Sequence, residues 1–417
     1  MSKEIETIKL DNGLTIYLYE DSRRHSTFFQ FVTKFGGKYR EFYSNGEKHE
    51  IKDGVAHILE HYIVEHNKYG NFLKILGEAQ MNTNASTNIN MTSYYFEAVE
   101  NVKFGVETLL KGIYNVVFND DYLNKIKEPI YQEIRGRMNN KFYHSNIESF
   151  NNLFNNIKFR NVGGSLEDVA NTTLEDIMTC YNTFYQPSNQ FIIIAGNFNK
   201  DEIISYIVEF YNNLDIKNID FKICNSGEVD SVNKKESIVY YPTASDYIDI
   251  SYKINLNKYN NREKLNLDFY LNYFCKMYFG ITSPIYKRLV DNKIISGGIG
   301  FSHSIIDNYL VLSIGCYVNN ADEFINCITK SIKELDYFNE EYFDLDKKRT
   351  FLDILLRDES LFNTIFPFID NVVNFDYPFL DTVEDVNNFS FEEFVDVIKN
   401  IDFNNYSIVR IENKKLD

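Results

Sequence analysis

The run Asp53-Gly54-Val55-Ala56-His57-Ile58-Leu59-Glu60-His61 constrains this chain more than any other stretch. It reads H-x-x-E-H, and that pattern makes chemical sense on a helix, where positions i, i+3 and i+4 share one face. His57 and His61 can then grip one metal ion, with Glu60 beside them to work on a water. A zinc hydrolase site takes three protein ligands and leaves one position open, so a third ligand must lie elsewhere. With seven histidines in 417 residues, a chance pairing at this spacing is uncommon. His25, His49, His66, His144 and His303 have no motif around them and read as surface or packing residues.

The length and the 44% hydrophobic content support a large core, and they suggest two or three domains rather than one. Forty-three basic residues against sixty acidic ones give a net charge of -17. That balance argues against nucleic acid and anionic membrane surfaces, and favours a neutral or cationic substrate. Cys180, Cys224, Cys275, Cys316 and Cys327 stand singly, with no C-x-x-C pair, as reduced thiols of a cytoplasmic protein do. Residues 1–6 are acidic and polar, unlike a signal peptide, and no apolar run is long enough to span a bilayer. The expectation is a cytoplasmic protein that binds neither nucleic acid nor membrane.

Strand and helix signals alternate along the first half. Residues 8–10 and 14–19 read as strands joined by the Asp11-Asn12-Gly13 turn, and 28–35 as a further strand ended by Gly36-Gly37. The motif helix is expected over 54–65, a shorter helix over 70–77 and a strand over 92–99. Amphipathic helices are expected over 102–115 and 122–139, the second interrupted by Pro129. A helix over 174–184 and a buried strand over 190–195 follow. Residues 214–235 lapse into polar composition and read as an interdomain linker. The second half repeats the theme. Strands are expected at 237–241, 247–254, 294–303, 309–318 and 406–411, with helices at 262–278, 283–291, 320–336, 340–356 and 390–400.

Set out in order, several segments resemble the pitrilysin and mitochondrial-processing-peptidase family of inverted zincins, closest to its short bacterial members. They are Leu10-Asp11-Asn12-Gly13-Leu14, Gly54 through His61, Asn84-Ala85-Ser86-Thr87, Tyr94-Tyr95-Phe96, Gln132-Glu133-Ile134 and Cys180 through Asn189. The resemblance covers nearly all of residues 7–200 and, more faintly, the second half. It implies an α+β fold of two similar α/β-roll domains, each a mostly antiparallel sheet covered by helices, together half of a clam-shell. Residues 1–213 would be the zinc-binding peptidase domain, 214–235 the linker and 236–417 a homologous non-catalytic domain.

The resemblance also assigns roles. Glu133, 72 residues beyond His61, takes the position of the third zinc ligand, with Glu128 the weaker candidate. One Zn2+ per chain would be held by His57, His61 and Glu133, with Glu60 as the catalytic base. Asn84, Ala85, Ser86 and Thr87 would form an edge strand that pairs with an extended peptide substrate. Two departures stand out. Relatives carry a second glutamate one heptad before the ligand, where this chain has Ile126. Relatives with a complete site carry an arginine and, seven residues later, a tyrosine that steady the substrate carbonyl; the matching positions here are Val290 and Gly297. Arg288 is two residues out of register. The implied function is a zinc metallo-endopeptidase subunit acting on short or unfolded peptides, including leader or precursor peptides. A homologous partner without the zinc motif would complete the site as a heterodimer. A non-catalytic scaffold or a peptide-binding subunit of the same fold remains the alternative.

Overall fold

The computed structural model describes residues 5–159, 161–216 and 218–413. Residues 1–4, part of the polar start that reads unlike a signal peptide, lie outside them. The described chain forms two compact units. The first gathers Met1–Gly136, Arg160–Cys224 and Glu359–Phe366; the second gathers Arg137–Phe159, Asn225–Asp358 and Pro367–Asp417. No helix among the described residues is long and apolar enough to cross a membrane.

The strands of the first unit are β1 (Glu6–Lys9), β2 (Thr15–Glu20), β3 (Thr27–Thr33), β4 (Glu41–Ser44), β5 (Glu47–Glu50), β6 (Asn82–Thr87), β7 (Thr92–Ala98), β8 (Gln190–Gly196) and β9 (Phe221–Ile223). Six of them make one sheet in the order β1-β2-β8-β3-β7-β6, antiparallel except where β2 meets β8. Every residue of β3 and β8 is buried, because these central strands are covered on both faces. The helices α1 (Val55–Glu65), α2 (Phe72–Glu78), α3 (Val102–Tyr114) and α4 (Asp120–Met138) share a core with one face, through Phe29, Phe31, Tyr94, Phe96 and Ile194. On the other face Phe362 packs against Phe28 and Tyr95. The small sheet β5-β4-β9 places a strand inside the stretch read as a linker, since Phe221–Ile223 pairs with β4.

Two expectations need correction. The helix over 122–139 is not interrupted: α4 runs unbroken from Asp120 to Met138 with Pro129 inside it. Proline removes one backbone donor there, and the buried face of Leu123, Ile126, Ile130 and Ile134 offsets that loss. The strand expected over 294–303 forms only from Gly300 onward. Before it, Gly297 and Gly298 lie outside any strand and a lone bridge joins Ile295 to Val318.

The second unit is built on β10 (Glu236–Tyr240), β11 (Asp246–Asn255), β12 (Gly300–Ile306), β13 (Tyr309–Val318) and β14 (Tyr406–Glu412), in the order β10-β14-β11-β13-β12. Only β10 and β14 run parallel. This is the order of the first unit without its outermost strand, and the helices recur in the same places between strands. The duplication is therefore plain in topology. On one face lie the helices Asn261–Phe279, Ala321–Glu334 and Phe391–Lys399. The helix α5 (Lys141–Leu153) lies against β10, β11 and β14, where Ser149 donates to Ser251 at 3.0 Å and Ser237 to Asn152 at 2.9 Å.

A buried ion pair anchors the polar segment that follows residue 224. Lys253 of β11 is fully buried and donates to Glu228 Oε1 at 2.5 Å, to Val229 O at 2.6 Å and to Leu153 O at 3.1 Å. Glu228 also accepts the backbone N–H groups of Asn155, Asn156 and Ile157. Burial alone would raise its carboxyl pKa, but Lys253 and the three amides hold it at about 2, against an ordinary 4.5. A folded pKa depressed in this way contributes stability above pH 4.5 that is lost as pH falls towards 2.

Two stability predictions arise. Glu228→Gln leaves Lys253 buried without its counter-charge and should cost about 3 kcal/mol in urea unfolding at neutral pH. The gap between wild type and variant should shrink as pH falls below 4.5. Gly54, which caps the N-terminus of α1 at φ +87°, has the backbone of Gly163 and Gly164 2.9 Å from where a Cβ would stand. Gly54→Ala should therefore cost about 2 kcal/mol or more, read as a lower thermal unfolding midpoint.

Candidate metal centre

The motif helix α1 is a core helix. Val55, Ala56, Ile58, Leu59, Tyr62, Ile63 and Val64 are buried, and so is Glu60. One stripe escapes, and on it stand His57 and His61, half-buried with ring centroids 4.8 Å apart and planes nearly perpendicular. The i, i+4 spacing of the sequence becomes two imidazoles side by side.

The helix α4 brings the third group. Glu133 Oε2 lies 3.7 Å from His57 Nε2, and Glu133 Oε1 lies 3.8 Å from His61 Nε2. One ligand atom from each of the three residues falls within 4.8 Å of the others, and among the described residues no other trio of histidine, cysteine or acidic residues does so. These separations are too long for hydrogen bonds. The two Glu133 distances are slightly wider than the about 3.3 Å between ligand atoms of a tetrahedral zinc site with bonds near 2.05 Å, and the whole trio, within 4.8 Å, would draw together around an ion. Two imidazoles and a carboxylate are also the donor set of zinc hydrolases. The residues present fit the ion.

Ile126, at the heptad position before Glu133, is in the core, 2% exposed. Glu128 is exposed and accepts from Gln132 Nε2 at 3.2 Å. It is not among the residues that gather with His57 and His61.

Glu60 is only 7% exposed. Thr87 Oγ1 donates to its Oε2 at 2.8 Å. Burial pushes the Glu60 carboxyl pKa up; the Thr87 hydrogen bond and His61 work against that, and the charge of Glu133 adds to it. Deeper in, the hydroxyls of Tyr94 and Tyr185 meet at 2.9 Å, and burial raises both phenol pKa values.

The segment Asn84-Ala85-Ser86-Thr87 is the C-terminal part of β6, an edge strand paired only with β7. Its residues alternate. Asn84 and Ser86 are exposed, whereas Ala85 and Thr87 are half-buried on the side that meets α1. Asn84 Oδ1 accepts from the N–H of Ala85 at 2.9 Å. Thr87, expected only as a peptide-binding residue, is thus also the hydrogen-bond donor to Glu60. Nothing in the local sequence marks that bond, because it joins residues 27 positions apart.

In the second unit, Val290 is 44% exposed on the helix Pro284–Asp291 and Gly297 lies in the loop before β12. Arg288 Nη2 contacts Cys327 Sγ at 2.9 Å. His303 Nε2 lies 2.5 Å from Asp268 Oδ1. Burial works against the charged imidazole, but Asp268 prevails and raises its pKa.

Comparison with known proteins bears on this arrangement. Residues 171–349 match the family model of the Peptidase M16 inactive domain; His57, Glu60, His61, Thr87 and Glu133 all lie outside that stretch. The zinc protease YmfH of Bacillus subtilis, itself uncharacterized, is 25% identical over 402 residues, covering 92% of this chain and 92% of that protein. The crystal structure of an M16-like peptidase from Alicyclobacillus acidocaldarius shares the fold with a TM-score of 0.89 at 22% identity, over 99% of each chain. Pitrilysin matches with a TM-score of 0.72 at 18% identity, over 99% of this chain and 45% of its own. Sequence relatives and fold agree: the chain is similar to M16 zinc proteases along most of its length, and its fold is that of M16-like peptidases and of pitrilysin.

Proposed function

We propose that this chain is the zinc-bearing subunit of a metallo-endopeptidase that cleaves short or unfolded peptides. The observation that carries the reading is the meeting of His57, His61 and Glu133 within ligand distance beside a buried Glu60. Zinc bound by those three residues would supply Lewis acidity towards water and towards a peptide carbonyl. Glu60 then acts as general base on the attacking water and returns the proton to the leaving amine. Its burial and its bond to Thr87 suit a group that must hold and release a proton at one place. The free edge of β6 takes an extended peptide as an added strand, through backbone hydrogen bonds that tolerate many sequences. Asn84, Ala85, Ser86 and Thr87 line that edge.

The site is completed by a homologous partner that lacks the zinc motif and carries the arginine and tyrosine. Val290 and Gly297, in the positions of that pair, cannot donate side-chain hydrogen bonds to a substrate carbonyl. The chain matches 45% of pitrilysin's length. The five cysteines are all unpaired thiols, in keeping with a cytoplasmic enzyme, and processing of leader or precursor peptides is the reading for its role. A non-catalytic scaffold is favoured by one observation, the match to the inactive-domain model. That match leaves the metal centre untouched.

Metal analysis and peptide cleavage test the proposal together. Purified, metal-replete protein should hold one zinc per chain, and Glu133→Gln should weaken zinc binding by about 100-fold or more. Glu60→Gln should retain zinc yet lower cleavage by at least about a thousandfold. Zinc-free protein would overturn the reading, and full activity of the isolated chain would overturn the two-subunit part of it.

A further inference from the structure

Thr87 stands where two parts of the proposed machinery touch. Its backbone is the last residue of the edge strand β6, and its hydroxyl reaches the Glu60 carboxylate on α1. The direction of that bond is fixed. Thr92, paired with Thr87 across β6 and β7, gives its single hydroxyl proton to Phe35 O at 2.9 Å. An ionised Glu60 carboxylate has only lone pairs to offer, so the Thr87 hydroxyl is the donor between them, and at 2.8 Å that contact is shorter than its 3.3 Å contact with Thr92. With Oε2 held, the carboxylate plane is set and Oε1 is left to work.

We propose that Thr87 is a positioning residue that ties Glu60 to the peptide-docking edge, so that pairing of a peptide backbone with β6 sets the orientation of the Glu60 carboxylate. The inference rests on the peptidase reading above and adds a form of regulation to it. A strand bonded on one side only is less constrained than the strands inside its sheet. A peptide that bonds to the other side braces β6, and the inward row Thr83, Ala85, Thr87 carries that bracing to α1. Hydrolysis is thereby coupled to strand addition, and a ligand too short to pair along β6 binds without setting the base.

The second unit carries the same device independently. Its edge strand β12 sends His303 to Asp268 on the helix Asn261–Phe279, which occupies the place of α1 in that unit's topology. In both units an inward side chain of the last strand holds a carboxylate of the helix beneath it.

The experiment compares Thr87→Val, which keeps shape and loses the hydroxyl, with Thr87→Ser, which keeps the hydroxyl. Each is made in the zinc-loaded chain and again in the Glu60→Gln background, with its partner subunit present and a fluorogenic peptide as substrate. Thr87→Val should lower kcat about 10- to 100-fold, with KM and zinc affinity by chelator competition within about threefold of wild type. Thr87→Ser should recover most of that loss. Added to Glu60→Gln, Thr87→Val should cost nothing further, because the two act as one unit. An unchanged kcat in Thr87→Val overturns the inference alone, as does a loss confined to KM, a failure of Thr87→Ser to recover, or an additive loss in the double variant. Wild-type protein without hydrolysis sensitive to Glu60→Gln overturns the peptidase reading, and this inference falls with it.

Discussion

The imidazoles of His57 and His61 keep their places because the helix that carries them is buried on nearly every other side. An isolated eleven-residue helix is marginal in water, and α1 has no side-chain N-cap. Its stability comes from packing: Ile58, Leu59, Tyr62 and Ile63 are fully buried in the core of the first unit. That packing leaves the two histidines little freedom to rotate about the helix axis. Gly54 sets where the helix starts, since only a residue without a Cβ fits against the backbone of Gly163 and Gly164. The proposed metal centre is thus a consequence of core packing as much as of its ligands.

Electrostatics explains why such a cluster calls for a cation. Glu60 and Glu133 both sit by the histidines, and the charge of Glu133 disfavours that of Glu60. Burial adds to the strain on Glu60. A divalent ion between the imidazoles and Glu133 reverses the local balance, because its own charge dominates the field at such distances. The hydroxyl of Thr87 lessens the cost of an ionised Glu60 without adding a competing charge. Glu133, at 43% exposure, stays solvated. On the proposed reading, one carboxylate binds the ion and the other exchanges a proton.

Legibility in the sequence followed the range of the interactions. The motif helix was readable because two histidines at i, i+4 report a local geometry. The central strands were readable from residue type and turn signals, whereas the edge strand Asn82–Thr87 was expected only from the family resemblance. Glu133 was not readable from spacing alone; 72 residues separate it from His61, and only the family resemblance singled it out. Pro129 misled because a proline rule describes a helix in water, and α4 is held by four buried aliphatic side chains. The helices Lys141–Leu153, Lys200–Asn212 and Leu361–Phe375 passed unread, as did the strand Phe221–Ile223. Phe221–Ile223 is defined by its pairing with β4. The Thr87–Glu60 bond belongs to the same kind, being a product of tertiary packing.

Duplication separates what the fold requires from what the chemistry requires. Both units keep the strand order and a core helix beneath the edge strand, because each sheet must cover its apolar face. Both keep a link from that edge to a helix carboxylate. In the second unit the partner is His303, and the pair Asp268–His303 is satisfied by itself, with a histidine whose charge the aspartate favours. In the first unit the partner is a neutral hydroxyl, which leaves the Glu60 charge uncancelled and available to histidines and water nearby. The choice of partner on the edge strand, His303 in one unit and Thr87 in the other, thus separates a carboxylate matched by a cationic side chain from one whose charge the proposed chemistry can use.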